Sequence, residues 1–86
     1  MSHAVQLRVC EIVADVTMNP TERVTIEAAA NQLEGWDSLA QVNIIVAIEA
    51  EYGVTFDADQ VHSLNSVAKI AEALRASTSA GKSGPG

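Results

Sequence analysis

The sequence predicts an all-α fold: a four-helix bundle of three longer helices and one short helix, with a long loop between helices one and two. Two observations support this prediction. Apolar residues recur at the three- and four-residue spacing of amphipathic helices in separate segments. The apolar residues are mostly aliphatic, because the 86 residues include only one Trp, one Tyr and one Phe. A chain of this length forms one domain and buries only about 60 to 65% of its unfolded surface.

The first helix is predicted from about Ala4 to Thr17. Its inward stripe follows the i, i+4, i+7, i+8, i+11 spacing and consists of Val5, Val9, Ile12, Val13 and Val16. The helix ends before Pro20, because the residue preceding a proline avoids the helical region. Residues 20–36 show no long period, and a connection of this length in a small domain is usually functional or packed down by its own side chains.

The second helix lies within the segment GWDSLAQVNIIVAIEAEYG, from Gly35 to Gly53, and it has two apolar stripes instead of one. At about 100° per residue, one stripe is a complete core face, formed by Ile44, Ile45, Ile48 and Tyr52. The other stripe lies opposite and consists of Leu39, Val42 and Val46, with Ala50 a turn later. A chain this short has few elements to cover both, so we expect the second stripe to be exposed and to dock partner proteins. A helix covered on all sides is the alternative.

Capping signals place the last two helices. Asp57 with Gln60 three residues later is a capping-box pattern and predicts one or two helical turns. Asn65 or Ser66 is the expected N-cap of the final helix. Its inward stripe is Val67, Ile70, Ala71 and Leu74.

The sequence predicts a single folded domain over residues 1–76. Residues 77–86 are small, polar and flexible, so we predict a disordered C-terminal tail.

Charge and cysteine content restrict the partners. Eleven acidic and five basic residues give a formal charge of −6, which would repel nucleic acid and anionic membranes and favour basic patches on partner proteins. Cys10 is the single cysteine, so we expect no internal disulfide and no metal or redox site. The sequence has no basic leader followed by a long apolar run and no segment of membrane-spanning length. We therefore expect an acidic cytoplasmic monomer.

Ser38, at the start of the second helix, is a candidate attachment point. A serine or aspartate in this place is most often a helix cap. However, Ser38 follows a Gly-Trp-Asp turn, lies where helix N-terminal amides favour a phosphate, and adjoins the outer stripe at Leu39. We expect no catalytic residue here, because GWDSLA lacks the Gly-x-Ser-x-Gly elbow and neither His3 nor His62 has a visible triad partner.

These features together resemble the acyl carrier protein family from about residue 4 to residue 76. The resemblance rests on GWDSL, an apolar helix ending AIEAEYGVTF, a short capped helix and SVAKIAEAL. It implies that Ser38 carries a covalent 4′-phosphopantetheine arm, added from coenzyme A by a phosphopantetheinyl transferase. Asp37 and Leu39 match the residues that flank the family's serine. The thiol of the arm would hold acyl groups as thioesters and present them to acyl-loading and acyl-transfer enzymes.

The resemblance also implies roles for the two stripes of the second helix. The inner stripe would be core, and the expected partner-binding residues are Leu39, Val42, Val46, Glu49 and Trp36. For Trp36 a structural role, closing the loop over the bundle, is the favoured alternative to a partner contact. An acyl chain can slip between the helices of such proteins, and the expected lining here is Ala47, Ile48, Val61, Leu64 and Ala68.

The sequence departs from fatty-acid carriers in the acids of the second helix. Ala40, Gln41 and Asn43 occupy the region where those carriers usually have acids, and only Glu49 and Glu51 remain at the far end. Enzymes of the fatty-acid pathway bind the acids of fatty-acid carriers through basic residues. We therefore expect a specialised stand-alone carrier, in a fatty acid-like or polyketide-like pathway of lipid metabolism.

Two other functions remain open. One is an aminoacyl or peptidyl carrier, which has the same arm and fold but is loaded by adenylation enzymes. The aspartate before Ser38 favours acyl use over this alternative. The other is a helical adaptor without a prosthetic group, for which Ser38→Ala would leave function intact.

Overall fold

Four α-helices and one short 3-10 turn make up the bundle. The helices are α1 (Ser2–Thr17), α2 (Ser38–Tyr52), α3 (Ala58–Ser63) and α4 (Val67–Ser83), and the 3-10 turn is Thr21–Arg23. This computed structural model describes the backbone of residues 2–83 and the side chains of residues 4–76. The predicted all-α four-helix fold is confirmed, with α1 packed against α2 and α4, and α3 packed against α2.

The core is mostly aliphatic, and its centre comes from the three long helices. Its most deeply buried side chains are Val9, Val13, Ile44, Ile45, Ile48, Val67, Ile70 and Leu74. The predicted inward stripes of α1, α2 and α4 are confirmed, although Val5, Val16 and Tyr52 are only partly buried at the edge. Each fully buried aliphatic side chain stabilises a fold by about 1.5–3 kcal/mol, so these stripes supply most of the driving force for folding.

A left-handed residue ends α1. Met18 has a φ of 62°, and the Asn19 N–H donates to the Ala14 carbonyl at 2.9 Å, which satisfies a carbonyl of the last turn. The Asn19 side-chain amide also donates to Thr17 Oγ1 at 2.9 Å and to the Glu34 carbonyl at 2.8 Å. The end of α1 is thereby tied to the chain that leads into α2.

The long loop between α1 and α2 is packed down by its own side chains and backbone. Val24 and Ala28 are buried in the core. The Ala30 N–H donates to the Asn65 carbonyl at 2.9 Å, and the Val67 N–H donates to the Ala28 carbonyl at 3.0 Å. These bonds hold the loop against the entrance to α4.

The helix caps follow the sequence pattern. Asp57 precedes α3, and its N–H donates to Gln60 Oε1 at 3.0 Å. At the start of α4, Ser66 Oγ accepts the Lys69 N–H at 3.1 Å, so Ser66 rather than Asn65 is the capping residue.

The last helix extends further than the composition predicts. α4 continues to Ser83, whereas the tail was expected to begin at residue 77. Residues 77–83 contain Ser, Thr, Ala, Gly and Lys but no proline, so no residue among them forbids helical backbone. Residues 84–86 of the predicted tail lie outside the described residues, and the disorder of the tail stays a prediction.

No helix within residues 2–83 combines the length and the apolar character that a membrane crossing requires.

Gly35 lies where the loop passes the end of α1. Its φ is +90°, and a Cβ placed on it would lie 2.7 Å from the carbonyl oxygen of Thr17. Both the backbone conformation and the close approach therefore require glycine. Gly53 ends α2 with a φ of +66°, but a Cβ there would meet open space.

The two glycines make a matched pair for a stability test. We expect Gly35→Ala to lower the free energy of unfolding by about 2–3 kcal/mol, because it combines a strained φ with a clash against fixed backbone. We expect Gly53→Ala to cost only about 1 kcal/mol, from conformation alone. Urea unfolding followed by circular dichroism measures both. Equal losses would contradict the close packing of the loop on α1.

Candidate functional site

Asp37 and Ser38 have different roles at the start of α2. Asp37 is the N-cap, and its Oδ1 accepts the Ala40 N–H at 2.8 Å. Ser38 is the first helical residue; it is exposed, and its hydroxyl makes no hydrogen bond to any residue that the structure describes. Because the aspartate caps the helix, the serine hydroxyl remains available for reaction.

The ring of Trp36 is a structural element, which corrects its assignment to the partner surface. Trp36 is only 5% exposed, and its Nε1–H donates to Gln41 Oε1 at 2.6 Å. A ring this deeply buried offers no surface to a partner. The alternative, in which Trp36 closes the loop over the bundle, agrees with its burial.

Gln41 is a buried bridging residue whose role the local sequence pattern did not predict. It is also 5% exposed, and its Nε2 donates to the carbonyls of Val61 at 2.6 Å and Leu64 at 2.7 Å. An indole N–H can only donate and a carbonyl can only accept, so these partners fix which way the amide points. Gln41 lies three residues before Ile44, on the buried face of α2. A polar residue on a core stripe was the signal that could have identified it.

A cavity of about 340 Å³ opens beside the Ser38 hydroxyl. Six of its eight lining residues carry polar side-chain groups, namely Asn31, Asp37, Ser38, Gln41, His62 and Asn65; Ala30 and Trp36 complete the lining, and apolar atoms make up the larger part of its surface. No hydrogen bond within the described region joins Ser38 to His62, so the two do not form a nucleophile–base pair here. An exposed hydroxyl at a helix N-terminus, with a cavity of both polar and apolar surface beside it, fits a phosphate-linked chain.

The outer stripe of α2 is exposed, as predicted. Leu39 is 70% exposed, Val42 is 40% and Val46 is 56%. Of the three positions where this chain lacks the acids of fatty-acid carriers, Asn43 is exposed, whereas Ala40 and Gln41 are buried. The outer stripe near Ser38 therefore carries apolar side chains, and of these three positions only Asn43 could present a side chain to a partner.

The two acidic residues near the C-terminal end of α2 accept hydrogen bonds from other parts of the chain. Glu49 is half-buried, and its Oε2 accepts the Phe56 N–H at 2.8 Å. This bond holds the Glu49 carboxylate against the chain after α2, and its expected contact with a partner stays a prediction. Glu51 pairs with Arg8, with Arg8 Nε 3.0 Å from Glu51 Oε2. The hydrogen bond from Arg8 lowers the pKa of Glu51 below its usual value.

Only two of the five residues expected to line a cavity for an acyl chain lie in one groove. A groove of about 550 Å³ between α3 and α4 includes Leu64 and Ala68. Ile48 is fully buried in the core, and Ala47 and Val61 are partly buried without lining that groove.

The comparison with protein families agrees with this geometry. The family model described as "Phosphopantetheine attachment site" matches residues 7–74, well over half of the chain. The matched region contains Asp37, Ser38 and Leu39, together with all of α2 and α3. No curated protein matches the chain.

The role of Gln41 leads to a stability prediction. Gln41→Ala leaves the Trp36 N–H and two carbonyls without partners, so we expect the free energy of unfolding to fall by about 3 kcal/mol. Asn43→Ala, an exposed amide on the same helix, is the control and should change it by less than about 0.5 kcal/mol. Urea unfolding followed by Trp36 fluorescence measures both. A loss for Gln41→Ala no larger than that of the control would contradict the bridging role.

Proposed function

Because the chain belongs to the phosphopantetheine attachment site family, we propose that Ser38 is the residue that carries its 4′-phosphopantetheine and that the protein is an acyl carrier. The family is one of carriers that hold this group covalently. The observation that supports Ser38 is its exposed hydroxyl, which has no partner among the described residues, at the start of a helix whose cap is already provided by Asp37.

The other serines in the matched region are less suitable. Ser63 Oγ donates to the Gln60 carbonyl at 3.1 Å, and Ser66 Oγ accepts the Lys69 N–H at the start of α4. Modifying either would disturb a local hydrogen bond, and Ser66 would lose its capping role. Among the three serines between residues 7 and 74, Ser38 alone has a hydroxyl that the fold does not use.

The residues around Ser38 present it on a rigid edge of the bundle. Asp37 fixes the first turn of α2, and Gln41 ties that turn to Trp36 and to α3. When bound, the arm supplies a thiol that holds cargo as a thioester. Cys10 does not compete with this thiol, because burial raises the pKa of Cys10 and keeps it protonated.

The partners proposed for this carrier are a phosphopantetheinyl transferase and enzymes that load and remove acyl groups. The exposed stripe of Leu39, Val42 and Val46 adjoins Ser38 and supports docking on this face. We also propose that the protein acts as a cytoplasmic monomer, binding neither nucleic acid nor membranes. The charge of −6 supports this, because it repels polyanions and other copies of the chain.

The attachment site is tested by intact mass spectrometry. The protein is incubated with coenzyme A and a broad-range phosphopantetheinyl transferase, and we expect the mass of one phosphopantetheine to be added. Ser38→Ala should gain nothing, and the control Ser63→Ala should gain as much as the wild type. A mass gain in Ser38→Ala would show that the arm is attached to another residue. No gain in the wild type, with a transferase proven active on another carrier, would favour the adaptor alternative.

The uncharged outer face supports a specialised pathway rather than fatty-acid synthesis. We expect the malonyl transferase and ketosynthase of fatty-acid synthesis to use this carrier poorly. Asn43→Glu should raise its kcat/KM with the malonyl transferase by about two- to five-fold, the effect of one exposed ion pair. Ala50→Glu, an exposed position farther along the outer stripe, is the control and should change it less.

Two results would contradict this pathway assignment. Wild-type kcat/KM equal to that of the main fatty-acid carrier would rule out a specialised role. Efficient loading by an amino-acid adenylation enzyme would instead favour an aminoacyl or peptidyl carrier.

A further inference from the structure

Two neighbouring cavities lie side by side on the surface between Ser38 and Lys69. The first is the cavity beside Ser38, and the second has a volume of about 430 Å³. Both are lined by Ala30, Asn31 and Asn65. Of the two cavities, Lys69 and Ser66 line only the second. The three shared residues make the two cavities adjacent, and the pair is called the groove.

The wall between the two cavities is held by hydrogen bonds. The Ala30 N–H donates to the Asn65 carbonyl at 2.9 Å, which fixes the loop against the entrance to α4. Lys69 Nζ donates to Asn65 Oδ1 at 3.3 Å. Because Asn65 also lines the cavity of Ser38, this bond places the Lys69 ammonium next to that cavity.

The Lys69 ammonium has no acid within salt-bridge distance among the described side chains, although Glu72 lines the groove between α3 and α4 with it. Arg8 pairs with Glu11 and Glu51, and Arg75 approaches Glu72 at 3.9 Å. Lys69 forms no salt bridge with any residue whose side chain is described, and its partner Asn65 is neutral. In a chain of charge −6, this leaves a positive group in the groove that starts at Ser38.

We propose that this groove holds the phosphopantetheine arm and that Lys69 binds a carboxylate at the end of the acyl group. The inference rests on the proposed function of Ser38. The arm contains two amide bonds, each with one donor and one acceptor, and the side chains of Asn31, His62 and Asn65 supply complementary groups. An ammonium and a carboxylate form a charge-assisted hydrogen bond. The groove therefore favours a carboxylated acyl group over a neutral one of the same size.

The test compares a carboxylated acyl group with a neutral isostere. The transferase loads the ¹⁵N-labelled protein from malonyl-coenzyme A or from acetoacetyl-coenzyme A, in which a methyl group replaces the carboxylate oxygen. Intact mass spectrometry first confirms that each arm is attached. We expect both forms to shift the NMR signals of the Asn31 and Asn65 side-chain amides relative to the unloaded protein. Only the malonyl form should also shift the signals of Lys69 and add a further shift to the side-chain amide of its partner Asn65.

Three variants identify the source of that difference. Lys69→Gln should abolish the malonyl-specific shifts at Asn65 and leave those shared by both forms. Lys69→Arg should retain them, because it keeps the charge. Arg23→Gln removes one positive charge from the 3-10 turn, which does not line the groove, and should also retain them.

The outcomes separate the two proposals. If no arm is attached, the carrier function itself is wrong and this inference is wrong with it. If the arm is attached but Asn31 and Asn65 do not shift, the carrier stands and the groove does not hold the arm. If both acyl forms give the same shifts, or Lys69→Gln keeps the difference, Lys69 does not bind the carboxylate.

Discussion

The side-chain amide of Gln41 is the interaction on which the site depends. It accepts the Trp36 N–H and donates to the carbonyls of Val61 and Leu64, so one residue joins the long loop, α2 and the end of α3. No residue within α3 itself is buried. Apolar packing alone therefore holds this short helix weakly, and its place beside Ser38 depends on the hydrogen bonds of the buried Gln41 side chain.

α2 is apolar on two sides, and the fold buries only one of them. Its inner face, with Ile44, Ile45 and Ile48, is buried in the core and stabilises the fold. Its outer stripe of Leu39, Val42 and Val46 is only partly covered by this chain and leaves apolar surface in water. Folding alone would favour polar residues there, so an exposed apolar stripe adjoining the proposed attachment point agrees with the proposed docking role.

The sequence predicted those features that depend on local spacing. Helical periodicity identified the core stripes, and the cap patterns identified Asp57 and limited the second cap to Asn65 or Ser66, of which Ser66 makes the capping bond. Gln41 was missed because its role depends on carbonyls 20 and 23 residues away, and no local pattern reveals such partners. The hydrogen bond of Glu49 was missed for the same reason, because its carboxylate accepts a backbone N–H seven residues later.

Ser38 lies between two surfaces that differ in their physical chemistry. On one side is the uncharged apolar stripe of α2, and on the other is the groove with Lys69, most of whose lining residues carry polar side-chain groups. Apolar docking depends on buried area and responds little to salt, whereas an exposed ion pair weakens as ionic strength rises. In the proposed carrier, partner binding and cargo binding are therefore governed by different forces. A cargo could be released from the groove without weakening the contact between the carrier and the enzyme that receives it.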